Sequence, residues 1–282
     1  MGLGIGFSYF YASLALSFVA SLFMNHGAVL DVVEELLRGV GGGKEGFLHS
    51  CLADFYRLRY PSALINLFNY VESLGNKGRS VMSVNLSEAF EEGMKLVKPA
   101  LRGVRAAHKV EDVLKELREL RIVEVRKEIH DSLASADPTG RLVKSFESRI
   151  LKAYLSITAG SESKPARELK QVRGELKAAL REVRGRGNEE AAQEILRILE
   201  DVRAGGFDLV THYVIERPVK LRDLRNHLVH GRLSREYVIK GGKPVKGLEV
   251  LRKPVMLYLM TSSLIAYVVS RLKHPRNRHG SP

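Results

Sequence analysis

The most basic stretch of this chain contains the run Leu221-Arg-Asp-Leu-Arg-Asn-His-Leu-Val-His-Gly231, which sets Arg225 and His230 five residues apart. A guanidinium grips phosphate oxygens through a rigid fork and keeps its charge, while an imidazole titrates near neutrality and passes protons. Those two groups are a minimal toolkit for RNA self-cleavage. The ribose 2'-OH attacks the adjacent phosphorus and the 5'-oxygen leaves, so that chemistry calls for no metal and no protein nucleophile. Five residues along a helix subtend about 140 degrees, so the two side chains are expected to border one groove rather than to stack. Arg222 and His227 repeat the same spacing in the same segment. Spacing alone does not choose between the two registers.

The surroundings favour a polyanionic partner. Between Arg217 and Lys253 there are eleven basic residues against three acidic ones, and the tail from Arg271 adds Lys273, Arg276 and Arg278 with no acid. The 282-residue chain as a whole carries a formal charge of +13, which fits nucleic acid or an anionic surface. A second basic stretch, Ser161 to Gly187, holds eight basic residues against four acidic ones and reads first as a solvated helix face. Apolar types make up 45% and charged types 27%, which excludes a disordered or collagen-like chain. The lone Cys51 cannot close a disulfide within the chain, so an intracellular, cytoplasmic protein is expected. It has no thiolate-stabilising neighbour in sequence and reads as a buried, inert thiol. His26, His49, His108 and His130 show no metal-ligand spacing and read as surface residues. No cofactor and no metal is expected.

These residues must be held by helices. Residues 31–37 and 48–60 read as helical, as do 140–157, 164–184, 188–204, 219–236 and 254–272. Val110, Val113, Leu114, Leu117 and Leu120 keep helical spacing, in a helix that Asp137-Pro-Thr-Gly140 ends. Residues 63–71 and 80–86, after Pro61 and around the turn-forming Gly75-Asn-Lys-Gly78, read as two strands and as the main sheet of the protein. Tyr56, Tyr60, Phe68 and Tyr70 read as packing residues. The uncharged run Gly2 to Met24 is long enough to cross a bilayer. No Lys or Arg precedes it, against a signal peptide, and serines 8, 13, 17 and 21 can share one face of a buried helix. A membrane contact is therefore not expected. Val255 to Ser270, about sixteen residues, is short for a span and reads as a core helix. The composition changes near residue 90 from apolar and glycine-rich to charged and helical, which places a domain boundary there.

Arg225-Asn-His-Leu-Val-His230 resembles the R-N-x-x-x-H motif of HEPN ribonuclease domains, in which a polar residue follows the arginine. That likeness favours Arg225 and His230 over the other register. The longer run Leu224 to Leu233, followed by Tyr237-Val-Ile-Lys-Gly-Gly242, resembles the CRISPR-associated ribonucleases of type III systems, where a HEPN domain follows a CARF domain. The resemblance implies a mainly α chain: a HEPN-like helical bundle over 91–282, preceded by a small α/β remnant of a Rossmann-like CARF domain over 1–90. The Asp-x-Thr-His-Gly segment and the first βαβ units of that sensor do not occur, so the chain is expected to begin inside it. A cyclic oligoadenylate activator belongs to the family, and no site for it is assigned here.

What the resemblance implies about activity is a metal-independent endoribonuclease of antiviral defence. It would cleave single-stranded RNA as a homodimer and leave 2',3'-cyclic phosphate ends, with the motifs of two protomers meeting across one groove. Arg225 would bind the scissile phosphate, His230 would exchange protons with the 2'-OH or the leaving oxygen, and Asn226 would orient the arginine or the phosphate. Arg222, His227, Arg232 and Arg235 would bind RNA around them. The alternatives are a HEPN module that binds RNA without cutting it, and a HEPN toxin of a toxin-antitoxin pair.

Overall fold

A computed structural model describes residues 26–36, 45–101, 105–137, 140–161, 163–230, 238–245 and 254–273. In chain order the helices are α1 (residues 26–36), α2 (Glu45–Tyr56), α3 (Tyr60–Ser73), α4 (Asn76–Met82), α5 (Leu86–Val97) and α6 (Val110–Glu119). Strand β1 (Leu120–Val125) precedes α7 (Lys127–Ala136), α8 (Arg141–Thr158), α9 (Ser163–Gly185), α10 (Glu189–Ala204) and α11 (Gly206–Tyr213). Then come β2 (Val214–Pro218), α12 (Leu221–His230), β3 (Val238–Lys240), β4 (Lys243–Val245) and α13 (Pro254–Lys273). The chain is mainly helical.

The described residues group into two compact units. The first takes the chain up to Arg118 together with 219–230 and 254–273; the second takes Glu119–Pro218 with 238–245. A cut at residue 90 does not match this division, because α5 runs through that position and later helices rejoin the N-terminal ones. The reason lies in α13. Its stretch from Val255 to Ser270 is uncharged and must be covered on every side, and it packs mainly against α5 and α3.

α13 is long and apolar enough to cross a membrane, yet 78% of its most apolar window is buried inside the protein. Its buried Thr261, Ser262 and Ser263 hydroxyls donate to carbonyls three or four residues back in the same helix, at 2.8–3.1 Å. The helix therefore carries no orphaned hydroxyl at these positions into the core. Gly93 of α5 meets it so closely that a β-carbon there would lie 1.8 Å from the Ser263 carbonyl oxygen. Only glycine permits that approach. Arg271 closes the far end on Glu92 at 2.6 Å. Residues 3–24 lie outside the described residues.

Neither strand expected at 63–71 and 80–86 forms: the first lies wholly within α3, and the second spans the end of α4, a link at 83–85 whose Asn85 makes an isolated antiparallel bridge to Lys220, and the first residue of α5. Pro61 stands in the first turn of α3, where a missing N–H removes no helical hydrogen bond, so it starts a helix instead of forbidding one. Buried Tyr60, Ala63, Leu64, Leu67, Phe68 and Val71 recur at three- and four-residue spacing along one face. α4 then folds back against α3, with Gly78 against the carbonyl of Val71, where a β-carbon would lie 1.8 Å from the oxygen. No described residue between 26 and 82 is a strand residue, which corrects the α/β reading of the first region. His26 is also corrected: it is 5% exposed and packs against Phe55 and Tyr258. Tyr60, Phe68 and Tyr70 are buried as packing residues, whereas Tyr56 is exposed. Cys51 is buried, and burial pushes its thiol up to about 12.

The sheet lies in the second unit, an antiparallel arrangement in the order β2-β1-β3-β4. Arg121 pairs with Pro218 and Leu120 with Lys240. The expected single helix from 110 towards 136 is thus interrupted by β1. Helices α7 to α11 pack around Phe146, Ile150, Val172, Leu176, Ala192 and Ile195, all at most 1% exposed. The expected helices 140–157, 164–184, 188–204 and 254–272 agree with α8, α9, α10 and α13 to within two residues at each end. The basic residues of α9, apart from half-buried Arg173, face solvent.

Candidate functional site

α12 is positioned by its first turn. Leu221 and Leu224 are fully buried, and buried Asp223 reaches back to accept the backbone N–H of Lys220 at 2.8 Å. This is the returning arm of a capping box, with a carboxylate where the helix N-terminus favours negative charge. The chain entering α12 is held by two backbone bonds, Leu86 N–H to the Val219 carbonyl at 2.7 Å and Leu221 N–H to the Val84 carbonyl at 3.1 Å. With Leu221, Asp223 and Leu224 turned inward, Arg222 and His230 are exposed and Arg225, Asn226 and His227 half-buried.

The register with Arg225 and His230 is the one that converges. The Nη1 of Arg225 lies 3.4 Å from Nε2 of His230 and donates to Oδ1 of Asn226 at 3.2 Å. Its Nη2 donates to Glu72 of α3 at 2.9 Å. Though five residues apart and not stacked, the two side chains meet, because the arginine is long enough to reach the last turn of its own helix. Since the guanidinium only donates, Nε2 of His230 is the acceptor side of this contact. Nε of Arg225 is buried with no hydrogen-bond partner among the described residues.

Three directions of the arginine fork are therefore distinct. One is fixed by Glu72, which is 43% exposed and so within reach of solvent ions. One points along the helix to Asn226 and His230. The third, Nε, is buried and has no partner among the described residues. An arginine held this way presents a preset plane to an anion, and the imidazole beside it is placed to give or take a proton at that anion. Arg225, Asn226 and His230, expected from the sequence, are brought together, and Glu72 joins them from 153 residues away with no local signal in the sequence.

Arg222 stands one turn before Arg225 and makes no side-chain hydrogen bond to a described residue. It lines a cavity with Glu72, Arg79 and Lys220. Nδ1 of His227 is buried. Arg232 and Arg235 lie outside the described residues. Among the described residues, no three His, Cys, Asp or Glu side chains are grouped as ligands for a metal ion. Compared with family models, with curated proteins and with solved structures, the chain matches none.

Proposed function

We propose that this protein is a metal-independent endoribonuclease acting on single-stranded RNA, of the HEPN kind and in the service of CRISPR antiviral defence in the cytoplasm. The observation that carries the reading is the meeting of the Arg225 guanidinium, the Asn226 amide and the His230 ring at the solvent-facing end of α12. In the proposed reaction the 2'-oxygen forms a bond to the adjacent phosphorus and the bond from phosphorus to the 5'-oxygen breaks. The proton of the 2'-OH leaves to a base and another is delivered to the 5'-oxygen, giving a 2',3'-cyclic phosphate and a free 5'-hydroxyl. His230 serves in one of these transfers. Arg225 binds the phosphate and offsets the charge that grows on its oxygens, with Asn226 fixing the plane of the guanidinium. A homodimer supplies a second set of the same groups across the groove, and so a second imidazole for the other transfer.

One observation favours a second reading. Glu72 occupies Nη2, a position that a phosphate would otherwise fill, which suits a module that binds RNA without cutting it. A single experiment separates the two. Labelled single-stranded RNA is incubated with the full chain in excess EDTA, and the products are resolved with and without phosphatase treatment specific for cyclic ends. Cleavage leaving 2',3'-cyclic phosphates, lowered by a factor of about 100 to 10,000 in His230→Ala, is the expected result. Intact RNA bound in a salt-sensitive manner would overturn the ribonuclease in favour of the binding module.

A further inference from the structure

Next to the ion pair of Arg225 and Glu72 lies a cavity of about 400 Å³, within the range of roughly 300–1,000 Å³ common to small-molecule sites. Its walls come from three segments: Glu72 at the end of α3, Arg79, Met82 and Ser83 on and after α4, and Lys220 and Arg222 at the start of α12. The cationic groups of Arg79, Lys220 and Arg222 have no ion pair with a described residue, and the one carboxylate in the wall is already engaged by Arg225. Three uncompensated cations around one concave space repel one another, and the arrangement is stabilised by whatever anion enters it.

We propose that this cavity receives the nucleotide adjacent to the scissile link, its phosphate held by Arg79, Lys220 and Arg222. The sugar or base lies against Met82 and the backbone of the turn at Gly75, whose φ of +62° lets the chain pass without a side chain. The inference rests on the ribonuclease reading for the identity of the ligand as RNA, but not for the existence of an anion site. Arg222 and Arg225 are three residues apart on one helix, which puts their β-carbons about 5–6 Å from each other on the same face. Two phosphates of one strand can then be gripped in succession. Glu72, which lines the cavity and pairs with Arg225, repels a phosphate laid against it, so the strand is admitted in one register. The cavity is thereby a positioning site that acts on where the chain is cut, without touching the reacting atoms.

The test uses the full chain and an oligonucleotide with 2'-deoxyribose throughout, which cannot be cleaved by this chemistry. Its dissociation constant is measured by fluorescence anisotropy over a series of salt concentrations. The double variant Arg79→Gln, Arg222→Gln is expected to bind at least tenfold more weakly, with a slope of log affinity against log salt smaller by about 1.4, the value for two contacts to a single strand. Adenosine 5'-monophosphate is expected to compete with the oligonucleotide for the wild type and not for this variant. Lys170→Gln, Lys177→Gln removes the same charge from α9 and is expected to leave the slope unchanged, and circular dichroism confirms that both variants fold. An unchanged slope in the Arg79 and Arg222 variant, or an equal loss in the α9 control, overturns the proposal. If the slope changes as expected while ribonucleotides stay intact, the cavity stands and the ribonuclease reading falls; if RNA is cut and the slope does not move, the reverse holds.

Discussion

Arg225 in the first unit and Arg149 in the second are exposed to nearly the same degree, 21% and 25%, and both bond to glutamate. They nevertheless differ in kind. Arg149 on α8 gives its Nε to Glu175 at 2.7 Å and its Nη1 to Glu168 at 3.3 Å and to Gln171. Ser145 also donates to Glu175. The hydrogen bond to Glu175 is the largest of the effects that hold the Arg149 guanidinium above its ordinary range. That cluster ties α8 to α9 and has two carboxylates for one cation. Around Arg225 the proportion is reversed, with one exposed carboxylate, Glu72, among Arg79, Lys220, Arg222 and Arg225 of the described residues. The lesson is that burial does not separate these two arginines; the balance of charge around each does.

The sharpest way to break this comparison is to change both arginines in parallel. Arg225→Lys replaces a planar fork by a point charge and is expected to lower RNA cleavage by about 100- to 1,000-fold, with the thermal midpoint nearly unmoved. Arg149→Ala leaves Glu168 and Glu175 without their cation and is expected to cost about 2 kcal/mol of stability, with cleavage per folded molecule unchanged. Denaturant titration and single-turnover cleavage of the same two preparations read both effects. Equal losses of stability in the two variants would sink the distinction.

A second pair of substitutions contrasts the helix packing of the two units. Gly93→Ala drives a methyl group into the backbone of α13 and is expected to destabilise by about 2–3 kcal/mol. Gly174→Ala on α9 meets nothing within 4 Å and should stabilise by about 0.5–1 kcal/mol, since alanine loses less backbone freedom on folding than glycine. Opposite shifts in urea midpoint are the expected outcome.

The smallest effects are those of acid, and they run in opposite directions. Burial lowers His26 below its ordinary 6.5, against an upward pull from the backbone of Tyr56 and Phe55. The unfolded chain then takes up that proton more readily than the fold, so stability contributed at this position declines as pH falls below 6.5. Glu147 in the second unit is raised above 4.5, chiefly by burial. There the fold holds the proton more tightly, and stability increases as pH falls towards 4.5. Melting curves of His26→Phe and Glu147→Gln across that range should each lose one of the two slopes.

Much of the helical frame was legible because α8, α9 and α10 each bury one stripe and expose the rest. α3 was misread although Ala63, Leu64, Leu67, Phe68 and Val71 keep helical spacing, since Pro61 and the β-favouring residues around it outweighed the period. β1 was hidden because Leu120 continues the helical spacing of Leu114 and Leu117, and its partners in β2 and β3 lie some hundred residues on. Of the site, the side chains carried by α12 could be read from a single short run. Glu72 and Arg79 could not, as only the packing of α3, α4 and α12 brings them to that run.

The clasp at the start of α12, in which Val84 and Leu86 bond to the backbone on either side of Lys220, makes the centre non-portable. A peptide cut from the motif would keep the arginine and both imidazoles and lose the anchorage that aims them. Grafting the motif onto another scaffold therefore requires transplanting the link at 84–86, between α4 and α5, with it.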